Sequence, residues 1–253
     1  MTQLAVTPPP AADLLTAWEV GRRASTVQRS VLLLGALLPQ LDGDALLGLT
    51  LGDRDERLLT AHRQLFGPAL ECVVRCPACA ADLELALAVD ALLASGGGDD
   101  GAPEERTVEA GAWRVAVRAL TLRDVLDAGA APDLAEARRV LLARAVVSAS
   151  GPEGVHGDPA ALPAAVEAAV EAELERRNPT GALELGLHCP DCEHDWTAPL
   201  DLPAYVWAEV DGWAQRTLVE VHALATAYGW READILALSV PRRAAYLEMA
   251  GHG

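Results

Sequence analysis

The sequence predicts an α+β fold that is mainly α-helical, with short antiparallel strands set into a helical scaffold. Three observations carry this. Hydrophobic residues make up 51% of the 253 but aromatics only 4%, so alanine and leucine supply much of the apolar surface, which favours helices packed through small and aliphatic side chains. Near the two ends of the chain apolar residues recur at the spacing of an amphipathic helix. Finally, a Cys-Pro-x-Cys hook is written twice, in VRCPACAADLEL (Val74 to Leu85) and in LHCPDCEHDWTA (Leu187 to Ala198), each time between strand-like flanks.

From Ala11 to Phe66 the text is helical. Leu14, Leu15 and Trp18 begin an apolar face, and the run from Val31 to Leu38 is ended by Pro39, which cannot continue a helix. In GDRDERLLTAHRQLFG, Leu58, Leu59, His62 and Leu65 share one face. Asp53 is placed to cap that helix with Glu56 as its capping-box partner, and Gly67-Pro68 stops it. Leu70 to Arg75 and Asp82 to Leu87 flank the first hook as strands. SGGGDDGAPEER, Ser95 to Arg106, has almost nothing to bury and reads as a mobile surface loop. WRVAVRAL, Trp113 to Leu120, alternates as a strand does.

A short helix opens over Leu122 to Leu126, and Asp133 caps a longer one running to about Val147. GPEGVHGDP is a loop, Leu162 to Arg177 a helix rich in Ala and Glu, and NPTG (Asn178 to Gly181) the turn into the second hook. Asp201 is placed to cap the next helix, with Pro203 in its first turn. Along it Val206, Val210, Trp213, Thr217, Val221, Leu224 and Tyr228 form one stripe, and Gly229 ends it. Two short helices follow, READILAL and, behind a Ser239 cap with Pro241 in its first turn, PRRAAYLEMA. The chain thus divides into an N-terminal helical region (1–69), a first hook segment (70–93), an insertion (94–180), a second hook segment (181–202) and a C-terminal helical region (203–253).

Charge narrows the function. With 37 acidic residues against 20 basic ones the net charge is −17, and such a surface repels phosphate backbones, so direct nucleic-acid binding is disfavoured. Every basic side chain is an arginine. The absence of lysine excludes a GxxxxGK[ST] P-loop, a Schiff-base lysine and a protein-kinase ATP lysine. MTQLAVTPPPAADLL shows no basic region followed by an apolar run, and no stretch approaches 18 apolar residues, so the expectation is a cytoplasmic protein with no membrane span. Five cysteines, four of them in CxxC pairs, suit a reducing compartment where thiols bind metal rather than form disulfides.

The expected metal ligands are Cys76, Cys79, Cys189 and Cys192. Two residues between cysteines let a tight turn aim both sulfurs at one ion, and two such turns complete a tetrahedral four-sulfur shell for which zinc is the usual cytosolic occupant. The fold expectation sharpens to a split zinc ribbon, two knuckles with short antiparallel strands embedded in the helical scaffold. Matching text after each hook supports it, Asp82 with Asp195 and Leu83 with Trp196. The competing reading is two unrelated pairs of buried or redox cysteines. The glycine usual after the second cysteine is replaced by Ala80 and Glu193, at a position that often needs positive φ.

The zinc is expected to be structural. A catalytic ion needs an open coordination position, and four thiolates leave none. The deaminase signature places His-x-Glu before Pro-Cys-x-x-Cys, whereas here proline sits inside each hook. Cys72 reads as a core thiol rather than a spare ligand, and His188 and His194 as histidines of the surface or beside the ligands rather than replacements for a cysteine. No Gly-x-Ser-x-Gly or His-Glu-x-x-His occurs, and Glu220 and His222, two apart, face different sides of a helix. No catalytic residue is expected.

LGDRDERLLTAHRQLFGPALECVVRCPACAADLEL, LELGLHCPDCEHDWTAPLDLPAYVWAEV and VHALATAYGWREADILALSVPRRAAYLEM together cover a little under half the chain. Through them it resembles the zinc-ribbon-containing baseplate and tail-assembly proteins of contractile phage tails and phage-tail-like contractile injection systems. The resemblance implies a non-enzymatic structural or assembly protein, with zinc on the four cysteines and baseplate or hub proteins as partners. It places a C-terminal motif on Tyr228, Trp230, Leu236, Leu238, Arg242, Arg243, Tyr246 and Leu247. Short helices rich in Trp, Tyr, Leu and Arg suit a partner groove, and they equally suit folding back to close a core. The alternative function is a zinc-ribbon adaptor or regulator acting on nucleic acid or the transcription machinery.

Overall fold

Helices occupy 57% of the described residues and the strands form small antiparallel sheets. The computed structural model describes residues 6–96, 105–152, 162–178 and 183–251. Four helices precede the first hook: α1 (Ala11–Gly21), α2 (Thr26–Leu37), α3 (Gly43–Leu47) and α4 (Leu51–Leu65). Ser25 and Gln28 close a capping box at the start of α2. The cap expected at Asp53 belongs instead to Thr50. Its hydroxyl accepts the Asp53 amide at 3.1 Å, and the Asp53 carboxylate accepts the Thr50 amide at 3.2 Å. Asp53 is therefore the third helical residue, where its charge also meets the positive end of the helix.

Strands β1 (Ala69–Arg75) and β2 (Asp82–Ala88) pair antiparallel across the first hook, and the chain passes directly into α5 (Val89–Gly96). Then come β3 (Glu105–Ala110), β4 (Trp113–Arg118), α6 (Leu122–Ala128), α7 (Leu134–Ala145), β5 (Val146–Ser150) and α8 (Ala164–Arg177). Three of these correct the sequence reading. Ser95 and Gly96, expected in the loop, finish α5, and Glu105 and Arg106, expected there too, begin β3. Helix α7, expected to reach Val147, stops at Ala145, because Val146 leaves the helical region and its β-branched side chain is buried where the strand pairs with β4. The middle of SGGGDDGAPEER, most of GPEGVHGDP and NPTG beyond Asn178 lie outside the described residues.

The second hook lies between β6 (Leu183–His188) and β7 (Asp195–Leu200). The 27-residue α9 (Leu202–Tyr228), α10 (Glu232–Leu236) and α11 (Val240–Gly251) complete the order.

The chain splits into two units, one of residues 1–40 with 203–253 and one of residues 41–202. In the 41–202 unit, sheet β3-β4-β5 packs its inner face with α7 and α8 around Val108, Val115, Val117, Leu142, Val146, Val166 and Val170. Nearby, two copies of Leu-Thr-Leu-x-Asp, Leu49 to Asp53 and Leu120 to Asp124, pair antiparallel through Thr50 and Thr121. Each threonine caps the helix it begins. Asp124 also takes both guanidinium nitrogens of Arg118, at 2.8 and 2.9 Å. Burial pushes the Asp124 carboxyl up, but the bonds from Arg118 and Thr121 outweigh it and hold the group below the usual carboxylate range.

In the other unit, the α9 stripe is buried at Val206, Val210, Thr217, Val221 and Leu224, half-buried at Trp213 and exposed at Tyr228. The Trp18 indole donates to Asp211 at 2.7 Å, and the Arg29 guanidinium lies 4.7 Å over the Trp207 ring. Gly21 permits the approach of α1 to α9, since a Cβ there would run into the Trp207 indole. No helix among the described residues is long and apolar enough to cross a membrane.

Candidate metal centre

Each hook is a tight turn closed in the same way. The Ala80 amide donates to the Cys76 carbonyl at 2.9 Å, and the Cys76 amide to Ala81 at 2.8 Å. In the second hook the Glu193 amide donates to Cys189 at 2.9 Å, and the Cys189 amide to His194 at 3.0 Å. Ala80 and Glu193 have φ of 62° and 59°, the left-handed conformation that knuckles usually fill with glycine. Both hooks accept the strain to keep the turn.

Those turns converge. The sulfur atoms of Cys76, Cys79, Cys189 and Cys192 all lie within 4.8 Å of one another. Two pairs cross between the hairpins, Cys76 to Cys192 at 3.7 Å and Cys79 to Cys189 at 3.6 Å. A disulfide needs about 2.05 Å, and all five cysteines are free thiols. A tetrahedral ion with sulfur arms of about 2.3 Å has sulfur–sulfur edges of about 3.8 Å. The donor set and spacing therefore fit one metal ion held by these four cysteines. The first cysteine of each hook is buried (Cys76 1%, Cys189 0% exposed) and the second is exposed. Cys72, half-buried on β1, is outside the cluster.

The thiols do not ionise alike. Burial pushes Cys76 up, but hydrogen bonds from the backbone amides of Cys79 and Ala78, with those of the Cys79 and Cys189 thiols, outweigh it and hold the group down at about 6. The His194 amide draws Cys192 down, yet partial loss of hydration at this exposed side chain and the sulfurs of Cys79, Cys189 and Cys76 push it up to about 12. One sulfur loses its proton readily and another resists, because neighbouring negative charges repel. A divalent cation at the centre removes that repulsion and favours all four thiolates.

The two hairpins are copies related by a constant shift of 113 positions, Cys76 to Cys189 and Cys79 to Cys192. The shift extends beyond the hooks. Arg75 stands opposite Asp82 in one register and His188 opposite Asp195 in the other, and the His188 Nδ1 lies 2.8 Å from the Asp195 carboxylate. Each hairpin then enters a helix, β2 into α5 at Val89 and β7 into α9 at Leu202, both buried. Repeating the shift on the flanking text would have found α5. His194 stacks on Trp196 with ring centroids 6.0 Å apart, so neither histidine joins the cluster.

The C-terminal motif is divided. The Arg243 guanidinium is buried and donates to Glu220 at 2.6 Å. Trp230, Leu236, Tyr246 and Leu247 pack against Val221, Leu224 and Ile235. Trp230 lies 4.8 Å from both Tyr228 and Tyr246, and the Tyr228 hydroxyl donates to the Tyr246 carbonyl. Tyr228 and Arg242 stay exposed, and Leu238 is half-buried.

Charge and exposed apolar surface are also divided. The 41–202 unit carries 29 acidic residues against 13 arginines, whereas the other carries 8 against 7. Yet among the described residues six of the nine exposed large hydrophobics belong to the nearly neutral unit, among them Val219 and Val240 at 68% and 69% exposure. No family model, curated protein or solved structure matches the chain.

Proposed function

We propose that the chain is a non-enzymatic structural or assembly protein of a contractile injection system or phage-like tail, working at the baseplate or hub. Its ion is zinc, held in a split ribbon whose two halves are the β1–β2 and β6–β7 hairpins. The carrying observation is the closed cluster of four sulfurs within 4.8 Å, which fills a tetrahedral shell and leaves no position for substrate or activated water. The resemblance carried by the hook segments and the C-terminal helices supplies the setting.

Partners are baseplate or hub proteins, met by the nearly neutral unit. A nearly neutral surface with exposed apolar side chains suits association with protein. The metal-bearing unit, at 29 acids to 13 arginines, repels nucleic acid and argues against the adaptor reading. Tyr228 and Arg242 are the motif residues offered to a partner, while Arg243, Trp230, Leu236, Tyr246 and Leu247 hold the surface in shape.

Co-purification from the native host tests this directly. The tagged chain is expected to bring down sheath, tube or baseplate proteins, and Tyr228→Ala with Arg242→Glu to lower that yield while leaving bound zinc at one ion per chain. A deletion strain that still assembles normal full-length particles overturns the proposal.

A further inference from the structure

The centre is closed to substrates but open to small oxidants, because Cys79 and Cys192 reach solvent while Cys76 and Cys189 lie behind them. We propose that it is also a peroxide-modification site, at which oxidation replaces the metal clamp by two disulfides crossing between the hairpins, Cys79 to Cys189 and Cys76 to Cys192.

The geometry selects that connectivity. The crossed sulfurs are 3.6 and 3.7 Å apart, so bonding requires each pair to close by about 1.6 Å. Each hairpin is stiffened by its own ladder, up to Arg75–Asp82 in one and His188–Asp195 in the other. The two belong to separate two-stranded sheets. They can therefore approach as rigid bodies. A bond within one hook would instead have to deform a turn fixed by the hydrogen bonds that the amides of Ala80 and Cys76, or of Glu193 and Cys189, donate.

The chemistry balances. The exposed Cys79 thiolate attacks hydrogen peroxide, an S–O bond forms as the O–O bond breaks, and hydroxide leaves. After this step Cys79 is a sulfenic acid. The Cys189 thiolate then attacks the Cys79 sulfur, the S–S bond forms and a second hydroxide leaves. Cys192 and Cys76 repeat the sequence. Two peroxides take four electrons from four thiolates and give two disulfides and four hydroxide ions. With its thiolates consumed, the chain no longer holds the ion.

This rests on the metal centre and not on the role in an injection system. The test treats metal-loaded full-length protein with hydrogen peroxide and reads released metal with a chromogenic chelator. Remaining thiols are then alkylated, and disulfide-linked peptides are mapped by mass spectrometry. The expected result is one ion released per two peroxides, both links joining a peptide of residues 69–88 to one of residues 183–200, and Cys72 alkylated. In Cys189→Ser, Cys79 is expected to stop at the sulfenic acid and be trapped by dimedone.

Links of Cys76 to Cys79 or Cys189 to Cys192, the other pairing between hairpins (Cys76 to Cys189 with Cys79 to Cys192), links through Cys72, or sulfinic acids in place of disulfides overturn the proposal. The wild-type map decides even if the variant fails to fold. Purified protein without bound metal defeats the metal centre itself. Loaded protein that gives uncrossed links defeats this inference alone.

Discussion

Removing the metal should loosen the two hairpins and spare the core of β3–β5. The crossed sulfurs are 110 and 116 residues apart in the chain, and closing loops of that length costs about 4 to 5 kcal/mol. A four-coordinate structural zinc contributes about 10 to 16 kcal/mol in small finger peptides at neutral pH, so about 5 to 12 kcal/mol remains to hold the hairpins. No strand ladder joins them, since β1–β2 and β6–β7 are separate sheets. The cluster of Val108, Val115, Val117, Leu142, Val146, Val166 and Val170 contains none of the cysteines and should survive chelation. Hydrogen exchange followed by mass spectrometry, with and without a strong chelator, is the assay. Residues 69–88 and 183–200 are expected to lose protection by orders of magnitude, while 113–118 and 164–177 change little. Equal protection of the hairpins in metal-free protein refutes the reasoning, and so does loss of all protection at once.

Three other outcomes follow from local geometry. Ala80→Gly relieves a residue at φ 62° and should stabilise the metal-bound fold by about 0.5 to 1 kcal/mol, seen as a higher melting temperature; a decrease would show that the turn is unstrained. Gly21→Ala places a methyl in the Trp207 ring and should destabilise by about 1 to 3 kcal/mol, read by urea denaturation, whereas an unchanged midpoint would mean the helices move apart freely. Because the Asp124 carboxyl is held below its unfolded value, its pairing stabilises the fold above about pH 4 and is lost as pH falls through the lower folded value. Asp124→Asn should therefore flatten the acid limb of a stability-against-pH curve, and a curve parallel to that of the wild type would contradict this.

The parts legible in the sequence are those with a period or a fixed spacing. The hooks, the strands beside them and the α9 stripe announce themselves because two-residue alternation, 3.6-residue recurrence and Cys-x-x-Cys are local patterns. Strands β3 and β5 do not. Glu105–Ala110 has little apolar text, and Val146–Ser150 continues a helical run without a break signal; both are extended because β4 lies between them, a tertiary cause that propensity cannot carry. The cap at Thr50 was obscured by Asp53, a good capping residue three positions later whose carboxylate serves the threonine instead. At the candidate metal centre the Cys-x-x-Cys spacing pointed to the four cysteines whose sulfurs cluster. The sequence could not show that Arg243 is spent on Glu220, since a buried and a surface arginine read alike.

The 113-residue interval between equivalent cysteines sets a timetable for the nascent chain. At roughly 5 to 20 residues per second, the ribosome needs about 6 to 23 s to make the second pair after the first has been built. Throughout that interval the early hook holds two of the four sulfurs that later cluster, open to other ions, to other thiols and to neighbouring polysomes bearing the same half. Binding of one ion by all four would thus require the early two sulfurs to stay reduced and unclaimed until their counterparts emerge. Slow translation or metal starvation would show first as intermolecular thiol-linked by-products.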